Sequence, residues 1–442
     1  MEFKFDRRAV LKGGAASAAV AATMTPADWL GFAKAWAAES PFKPEAGASL
    51  SLTRWRRFVQ SEDDAFRAIC KSFQDATGCA VSVVEEGMDD VQPKASVAAN
   101  TGQGSDMFWG VYSMPQLFPD KALDITDVAT YLGDKYGGWV DAAKVYGTAQ
   151  GKWICLPVTI SGNYINYRIS SLKAAGFSEF PADTDSFLEC MKALKAKGTP
   201  GGFALGRATG DGNAWVHWML WAFGGRLVDE NDKVAIDSPE TRKAMEYCKA
   251  LYATFVPGTV SWNDAFNNKA FLAGEVHLTN NGISIYVAGQ NGDDAQKAIA
   301  VDTDHAYYPI GPVGKPTEFQ VCFPVMGMNY SRFPNAVKAF FTYWMEADQY
   351  NKWLSESRGY MTHTLKAFDA NPVWEEDPKR RVFRDAATRT LVAGYPGSLG
   401  ENAASAIADF VVLDMFANYA TDRTTMDEAI KSAARSAARI YR

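Results

Sequence analysis

The sequence predicts an α/β fold in two domains, and three observations support this prediction. Short apolar strands alternate with amphipathic helices, a pattern that favours a sheet covered by helices on its faces. The chain has 442 residues, more than a single hydrophobic core usually organises. It has neither an internal repeat nor a low-complexity linker. Two large domains that are connected at ordinary strand ends are therefore expected.

The first part of the chain predicts a strand, a helix and a second strand. Residues 50–53 form the first strand, and residues 79–84 form the second. Between them Phe66, Ile69 and Phe73 recur at helical spacing behind an acidic first turn, and a glycine at position 78 ends the helix. Two strands joined by a helix run parallel in one sheet.

Capping residues predict the start of two later helices. Ser238 precedes Pro239, and Thr425 with Glu428 forms a capping box. Residues 227–236 predict a hairpin with carboxylates at its tip. A solvated turn is favoured over a cation loop at that tip.

An export signal is predicted at residues 1–37. Arg7 and Arg8 precede a weakly hydrophobic run of small residues, and residues 35–37 are an Ala-x-Ala triplet of the kind that signal peptidase cleaves. This arrangement resembles a twin-arginine signal. The mature chain would begin after the triplet, in the periplasm, and with no cysteine before Cys70 it would not be lipid-anchored.

Composition and motifs exclude several classes of function. The formal net charge of −6 disfavours nucleic acid and anionic lipid as partners. No nucleophile elbow, zinc motif, phosphate-binding loop or dinucleotide fingerprint is present, so neither a catalytic residue nor a cofactor is predicted. Four scattered histidines predict no metal site. Most of the six cysteines are interpreted as buried small hydrophobes; disulfides are the alternative, and no pairing is dictated.

Aromatic residues beside Gly, Asn and Ser occur in segments that read as loops. The clearest are residues 109–112, 213–218 and 280–284. A sugar has an apolar C–H face and a rim of hydroxyls, so its site needs flat aromatic surfaces with uncharged donors and acceptors. Core packing is the alternative for each tryptophan, and it is favoured for Trp218 and Trp221.

A series of short motifs, taken in order, carries a family resemblance. They are residues 94–110, 156–158, 165–176, 222–227, 265–275, 308–312 and 358–360. Their order resembles that of the periplasmic sugar-binding proteins of ABC importers, the maltose-binding-protein-like members of extracellular solute-binding protein family 1. Ser105 replaces the usual proline of the first motif, and Tyr112 and Ser284 replace a usual aspartate and a usual stacking tryptophan.

The resemblance implies a type II periplasmic-binding-protein fold with two α/β lobes, each a mixed sheet flanked by helices, hinged around a ligand cleft. The first lobe would comprise residues 48–159 plus 316–356, and the second residues 160–315 plus 357–442. The protein would be a monomer that closes on one solute molecule and delivers it to a membrane ABC permease. It would not be an enzyme, and it would bind no nucleic acid.

The resemblance also places residues of both lobes in the cleft. From the first lobe and the crossover between the lobes these are Arg57, Phe58, Trp109, Tyr112, Ser161 and Asn163. From the second lobe they are Asn213, Trp215, His217, Asn281, Ser284, Arg358, Tyr360 and Tyr395. Trp109 and Trp215 are expected to stack on the solute.

A carbohydrate or polyol is the expected solute, and Arg57 and Arg358 would also permit an acidic or phosphorylated sugar. The same fold binding ferric iron, a polyamine or a peptide is the first alternative. The second, from another class, is an enzyme exported by the twin-arginine route.

Overall fold

Two β-sheets, of five and three strands, organise the described chain, beside a separate two-stranded sheet. The computed structural model describes residues 35, 36 and 39–442. The predicted signal segment, residues 1–37, lies outside the described residues apart from Ala35 and Trp36.

The strands are short and are distributed along most of the chain. They are β1 (Ser49–Trp55), β2 (Ala80–Glu86), β3 (Met107–Trp109), β4 (Thr148–Ala149), β5 (Lys152–Trp153), β6 (Leu156–Ser161), β7 (Tyr164–Arg168), β8 (Leu278–Asn281), β9 (Thr303–Ala306) and β10 (Val321–Gly327).

Helices connect and cover these strands. They are α1 (Gln60–Thr77), α2 (Val91–Thr101), α3 (Thr126–Lys135), α4 (Asp141–Gly147), α5 (Ile169–Ala174), α6 (Thr184–Ala196), α7 (Asp211–Ala222), α8 (Pro239–Tyr252), α9 (Phe266–Leu272), α10 (Ser284–Gln290), α11 (Asp294–Val301), α12 (Pro334–Met345), α13 (Ala347–Glu356), α14 (Val373–Glu376), α15 (Arg381–Arg384), α16 (Ala386–Arg389), α17 (Glu401–Ala408), α18 (Val411–Ala420) and α19 (Met426–Ile440). Short 3₁₀ turns include Met88–Asp90 and Met114–Leu117.

The large sheet has the strand order β2-β1-β3-β10-β6. Strand β1 pairs in parallel with β2 and β3, and β10 runs antiparallel to β3 and β6. The predicted strand–helix–strand unit at the start of the chain is confirmed. Phe66, Ile69 and Phe73 are buried on α1, and Gly78 ends that helix in the left-handed conformation, which glycine adopts without steric cost.

The small sheet has the order β8-β7-β9, with both pairings antiparallel. Strand β7 follows β6, the edge strand of the large sheet, after only Gly162 and Asn163. A Cβ on Gly162 would lie 2.8 Å from atoms of Phe383 and Tyr164, so this connection needs glycine.

The predicted caps of two later helices are confirmed. Ser238 accepts a hydrogen bond from the Thr241 N–H ahead of α8, and Thr425 and Glu428 form the capping box of α19. The predicted hairpin is a tight turn held by backbone hydrogen bonds from Asp229 to Lys233 and from Ala235 to Leu227, without regular strands.

One segment of the described chain, Glu401–Ala420, is long and apolar enough to cross a membrane by length and composition alone. In the 18-residue apolar stretch of that segment, 61% of the residues are buried within the protein. Its backbone turns at Phe410, where φ is +54° and α17 gives way to α18. Core helices of soluble proteins have the same composition.

Candidate ligand cleft

A small cavity lies where the large sheet, the small sheet and α7 meet. Its volume is about 30 Å3, and a buried water needs about 10–15 Å3 by this kind of measure. The cavity is lined by Phe58, Met88, Ser161, Gly162, Asn163, Gly210, Asp211, Asp264, Asn268, Asn281, Gly282, Ser284, Val321, Phe323 and Tyr360. It therefore admits one or two waters as it stands, and a sugar fits only if its walls separate.

One wall of the cavity is apolar and aromatic. Phe58 follows β1 and Met88 follows β2, so both lie at the carboxyl ends of parallel strands, the edge at which open α/β sheets bind ligands. Phe323 on β10 and Tyr360 complete this wall, with ring centroids 6.1 Å apart. The wall offers flat carbon surface.

The opposite wall is built from amides, hydroxyls and one carboxylate at the start of α7. The Asp211 carboxylate accepts hydrogen bonds from the side-chain amides of Asn163 at 2.5 Å, Asn267 at 2.7 Å and Asn281 at 3.1 Å. Burial raises the pKa of Asp211 well above its usual range, and the nearby Asp264 carboxylate raises it further. Asp211 fixes the orientation of three asparagine side chains.

Asp264 holds the first turn of α7 in place. Its carboxylate accepts the backbone N–H groups of Gly210 at 3.0 Å and of Asp211 at 2.7 Å. Burial raises the pKa of Asp264 to about 6, against the lowering effect of these hydrogen bonds. The oxygens of both carboxylates are thus bonded within the protein.

Uncharged groups on this wall keep free hydrogen-bonding capacity. Asn268 accepts a hydrogen bond from Asn281 through its oxygen, while its Nδ2 has no partner among the described residues. The buried Oδ1 atoms of Asn213 and Asn280, which are not among the residues that line the cavity, likewise have no partner within the described chain. The wall itself therefore supplies an amide donor, from Asn268.

The cavity brings six of the predicted site residues together. They are Phe58, Ser161, Asn163, Asn281, Ser284 and Tyr360. Ser161 donates to the Tyr360 carbonyl at 2.7 Å, and Ser284 donates to Asn281 Oδ1 at 3.3 Å.

Arg57 lies behind the aromatic wall rather than in the cavity. Its side chain is 1% exposed, and Nε donates to Glu62 at 2.7 Å. The guanidinium lies 4.2 Å from the Trp55 ring and 4.3 Å from the Trp109 ring. Its Nη1 has no partner among the described residues.

Both tryptophans expected to stack on a solute lie in packed interiors. Trp109 is fully buried, with its ring 4.8 Å from that of Trp344 and 5.3 Å from that of Phe66. Trp215 is also fully buried, and its Nε1 donates to the Ala204 carbonyl at 2.8 Å. In this structure neither ring faces the cavity, because each fills the core beneath its own sheet or helix.

Five further predicted residues also lie outside the cavity. The side-chain amide of Asn213 donates to the Thr209 carbonyl, and the backbone carbonyl of Asn213 is hydrogen-bonded to His217 Nδ1 at 2.8 Å. Burial lowers the pKa of His217 to about 4. Arg358 lies in the turn after α13 with φ of +54°, and the Tyr395 ring packs 5.5 Å from that of Trp221. Tyr112 is the fifth, and its hydroxyl donates to the Gly210 carbonyl at 2.8 Å.

The sequence reasoning missed Asp211, Asp264, Asn268 and Met88. A signal for three of them was present, because Asp211 begins α7, and Asp264 and Asn268 flank the start of α9. Polar residues at helix starts accept hydrogen bonds from backbone N–H groups. Two helix starts of this kind lie next to the predicted loops, and they could have predicted this wall.

Among the described residues no group of three or more His, Cys, Asp and Glu side chains could hold a metal ion. All six cysteines are buried and free, which confirms their interpretation as small hydrophobes.

Comparison with known proteins agrees with this architecture. The sequence profile of the bacterial extracellular solute-binding proteins matches residues 68–382. A curated relative from Deinococcus radiodurans, a probable ABC transporter-binding protein, is 25% identical over 178 residues. That match covers 38% of this chain and 41% of the relative, so it spans about two fifths of the relative's length.

Solved structures share the fold at low sequence identity. Maltose-bound MalE3 of T. maritima is 19% identical with a TM-score of 0.76, covering 89% of this chain and 99% of that one. A sugar transporter protein from Arthrobacter chlorophenolicus with bound laminaribiose is 18% identical with a TM-score of 0.76, covering 89% and 99%. A solute-binding protein from Agrobacterium vitis with bound D-mannitol is 18% identical with a TM-score of 0.71, covering 89% and 98%.

These likenesses confirm the predicted two-lobe α/β fold. The family consists of exported binding proteins of ABC transporters rather than enzymes. With its profile matched over residues 68–382, the chain belongs to the family of bacterial extracellular solute-binding proteins.

Proposed function

We propose that this protein is a periplasmic receptor that binds a carbohydrate or polyol in the cleft and delivers it to an ABC permease. The observation that carries the proposal is the pairing of the two cavity walls. Phe58, Phe323 and Tyr360 offer an apolar surface, and amides and hydroxyls line the same cavity. A sugar ring presents this same combination of a C–H face and a hydroxyl rim.

The cavity chemistry favours a neutral polyhydroxylated solute over a polyamine or a metal ion. A polyamine would need free carboxylates, whereas Asp211 and Asp264 are bonded to amide and backbone donors. The solutes of the structural neighbours, maltose, laminaribiose and D-mannitol, are all neutral and polyhydroxylated.

Closure of two lobes is the proposed mechanism. The lobes are residues 48–159 plus 316–356 and residues 160–315 plus 357–442. The crossing segments lie side by side: the Asn163 N–H donates to Gln320 Oε1 at 2.5 Å, and Thr159 Oγ1 donates to the Thr362 carbonyl at 2.7 Å. Bending at these few residues would open the cavity, and contacts from both walls would stabilise the closed state.

The proposal also includes export: the twin-arginine signal at residues 1–37 directs the protein out of the cytoplasm. The exported protein is a monomer without a lipid anchor. The Arg7-Arg8 pair and the Ala-x-Ala triplet support export, as does membership in a family of exported proteins.

A thermal-shift screen of the chain from residue 38 onward tests the solute class, followed by calorimetry on each hit. The panel contains maltose, laminaribiose, mannitol, ribitol, common monosaccharides, sugar acids and phosphates, polyamines, peptides and ferric iron. We expect a rise of several degrees with at least one neutral sugar or polyol, because binding to the native state alone stabilises it by RT ln(1 + [L]/Kd). Stabilisation by only a polyamine, a peptide or iron would refute the solute class.

A matched pair of variants tests the location. Phe58→Ala removes ring surface from the cavity wall and should weaken binding by about 1–3 kcal/mol. Phe177→Ala removes an equally large, half-buried ring that lies outside the cavity. Equal affinity in both variants would place the ligand elsewhere.

A further inference from the structure

A second cavity adjoins the first and shares Met88 with it. Its volume is about 260 Å3. Asp89 and Thr209 line it and are joined by a hydrogen bond of 2.8 Å from Thr209 Oγ1 to Asp89 Oδ1. The second cavity lies between the strand ends of the large sheet, represented by Val111 and Tyr112, and the helix α17.

The lining of this second cavity is mainly apolar. Val91, Val111, Met114, Ile407 and the ring of Phe410 present methyl, thioether and aromatic groups.

Several polar side chains at its edge are bonded within the protein. The Tyr112 hydroxyl donates to the Gly210 carbonyl, and Arg207 donates to Asp414 at 2.8 Å. Gln92 and Ser113 also line the cavity and have no side-chain hydrogen bond among the described residues. Carbon surface with two uncharged polar groups is therefore what this cavity offers.

Two residues of this cavity hold an unusual backbone conformation. Tyr112 has φ of +52° and Phe410 has φ of +54°, and bulky residues rarely adopt this region. Tyr112 is held there by its hydroxyl bond and by stacking on Phe319 at 4.4 Å. Such conformations persist where the surrounding structure maintains them, and they concentrate at ligand sites.

The size of the cavity suits a compact apolar group. An apolar cavity of about 150 Å3 already takes up benzene, and this one is larger. The two cavities share Met88 as a lining residue. A change of rotamer in this flexible side chain would join them, so that one solute could extend from one cavity into the other.

We propose that the second cavity takes the apolar aglycone of a glycoside whose hydroxylated head binds in the first cavity. The preferred solute class is then an aryl or alkyl glycoside rather than a free sugar. This inference rests on the proposed function of the first cavity.

Calorimetry with matched glycosides tests the inference on the unmodified protein. The probes are methyl, butyl, hexyl and phenyl α- and β-glycosides of glucose, galactose, mannose and xylose. For the head group that binds, we expect the phenyl glycoside to bind at least tenfold more tightly than the methyl glycoside. Along the alkyl series each methylene should raise the affinity by up to about fourfold until the cavity is filled.

A cavity-filling variant locates the effect. Ala408 lines the second cavity and is half-buried. Ala408→Phe should bring the phenyl-to-methyl affinity ratio close to one and leave the methyl glycoside within twofold. Ala298→Phe, the same substitution at an exposed position of α11, should keep the full ratio.

The outcomes separate this inference from the proposed function. If methyl glycosides or free sugars bind and a longer aglycone adds nothing, the aglycone site is wrong while the sugar receptor stands. If neither sugars nor glycosides of any kind bind, both are wrong. Because the alkyl series needs no variant, a failure of Ala408→Phe to fold does not remove the test.

Discussion

The Tyr112 hydroxyl donates a hydrogen bond of 2.8 Å to the Gly210 carbonyl. Tyr112 follows β3 of the large sheet, and Gly210 immediately precedes α7, whose first residues form the polar wall of the cleft. Together with the bond between Thr209 and Asp89, this bond joins the two sides of the cleft beside the first cavity, among residues that line the second.

Removal of this hydroxyl should favour the open form. Tyr112→Phe loses one buried hydrogen bond, worth about 1 kcal/mol, so affinity for the identified solute should fall by up to about tenfold. Small-angle X-ray scattering of the unliganded variant should give a larger radius of gyration. Tyr252→Phe on α8, whose ring packs on Phe255, is the control. An unchanged affinity and radius in Tyr112→Phe would show that the bond does not hold the cleft closed.

Asp264 should make stability decrease as pH rises through the mildly acidic range. Burial raises its pKa to about 6, whereas an unfolded aspartate has a pKa near 3.9. Between these values the folded state binds more protons than the unfolded state, so the free energy of unfolding falls with rising pH.

The comparison of Asp264→Asn with the unmodified protein isolates this effect. Urea unfolding at pH 4, 5, 6 and 7 should show the unmodified protein losing about 1–3 kcal/mol relative to the variant across the range. Asp120→Asn, at an exposed position, is the control for the substitution itself. Parallel profiles for Asp264→Asn and the unmodified protein would contradict the raised pKa.

Asp63 should offset the free-energy cost of burying the charged Arg54 side chain in the core. The Arg54 side chain is fully buried and bonds Asp63, with Glu85 at 3.3 Å as a second partner. Burial raises the pKa of Asp63, but hydrogen bonds from Arg54 and Arg67 outweigh it and hold that pKa below its usual range. The pair's stabilisation is therefore present at neutral pH and lost as pH falls through this lowered pKa.

Asp63→Asn should lower the free energy of unfolding by about 3 kcal/mol at pH 7, because it weakens the pairing of a buried cation. Asp75→Asn on the same helix breaks only the exposed pair with Lys71 and should change stability by less than about 1 kcal/mol. Chemical denaturation measures both. Similar losses in the two variants would mean that Arg54 does not need Asp63.

Trp109→Ala should lower the free energy of unfolding. The ring is fully buried among Trp55, Phe66, Trp344 and Trp353, and truncating such a residue costs about 3–5 kcal/mol. Thermal unfolding should show a large fall in midpoint. A variant that keeps its midpoint but loses ligand affinity would instead support Trp109 as a ligand contact.

Local patterns predicted much of the architecture. The spacing of Phe66, Ile69 and Phe73 is a property of one helix, and the capping box of Thr425 and Glu428 needs only four consecutive positions, so both could be predicted from the sequence. The cleft could be predicted in part, since Phe58, Asn163, Asn281 and Tyr360 were chosen through the order of motifs along the chain. Trp109 and Trp215 were assigned to the cleft because a loop tryptophan and a core tryptophan have the same local sequence.

The sequence by itself determined the two-domain α/β class, the capped helices and the family, because each depends on residue type and on spacing along the chain. Only the tertiary structure decided which polar groups meet. Asp211 contacts Asn163 and Asn281, 48 and 70 positions away. Its carboxylate is hydrogen-bonded to other side chains of the protein. Such partnerships depend on how helices and sheets pack, and no local pattern encodes them.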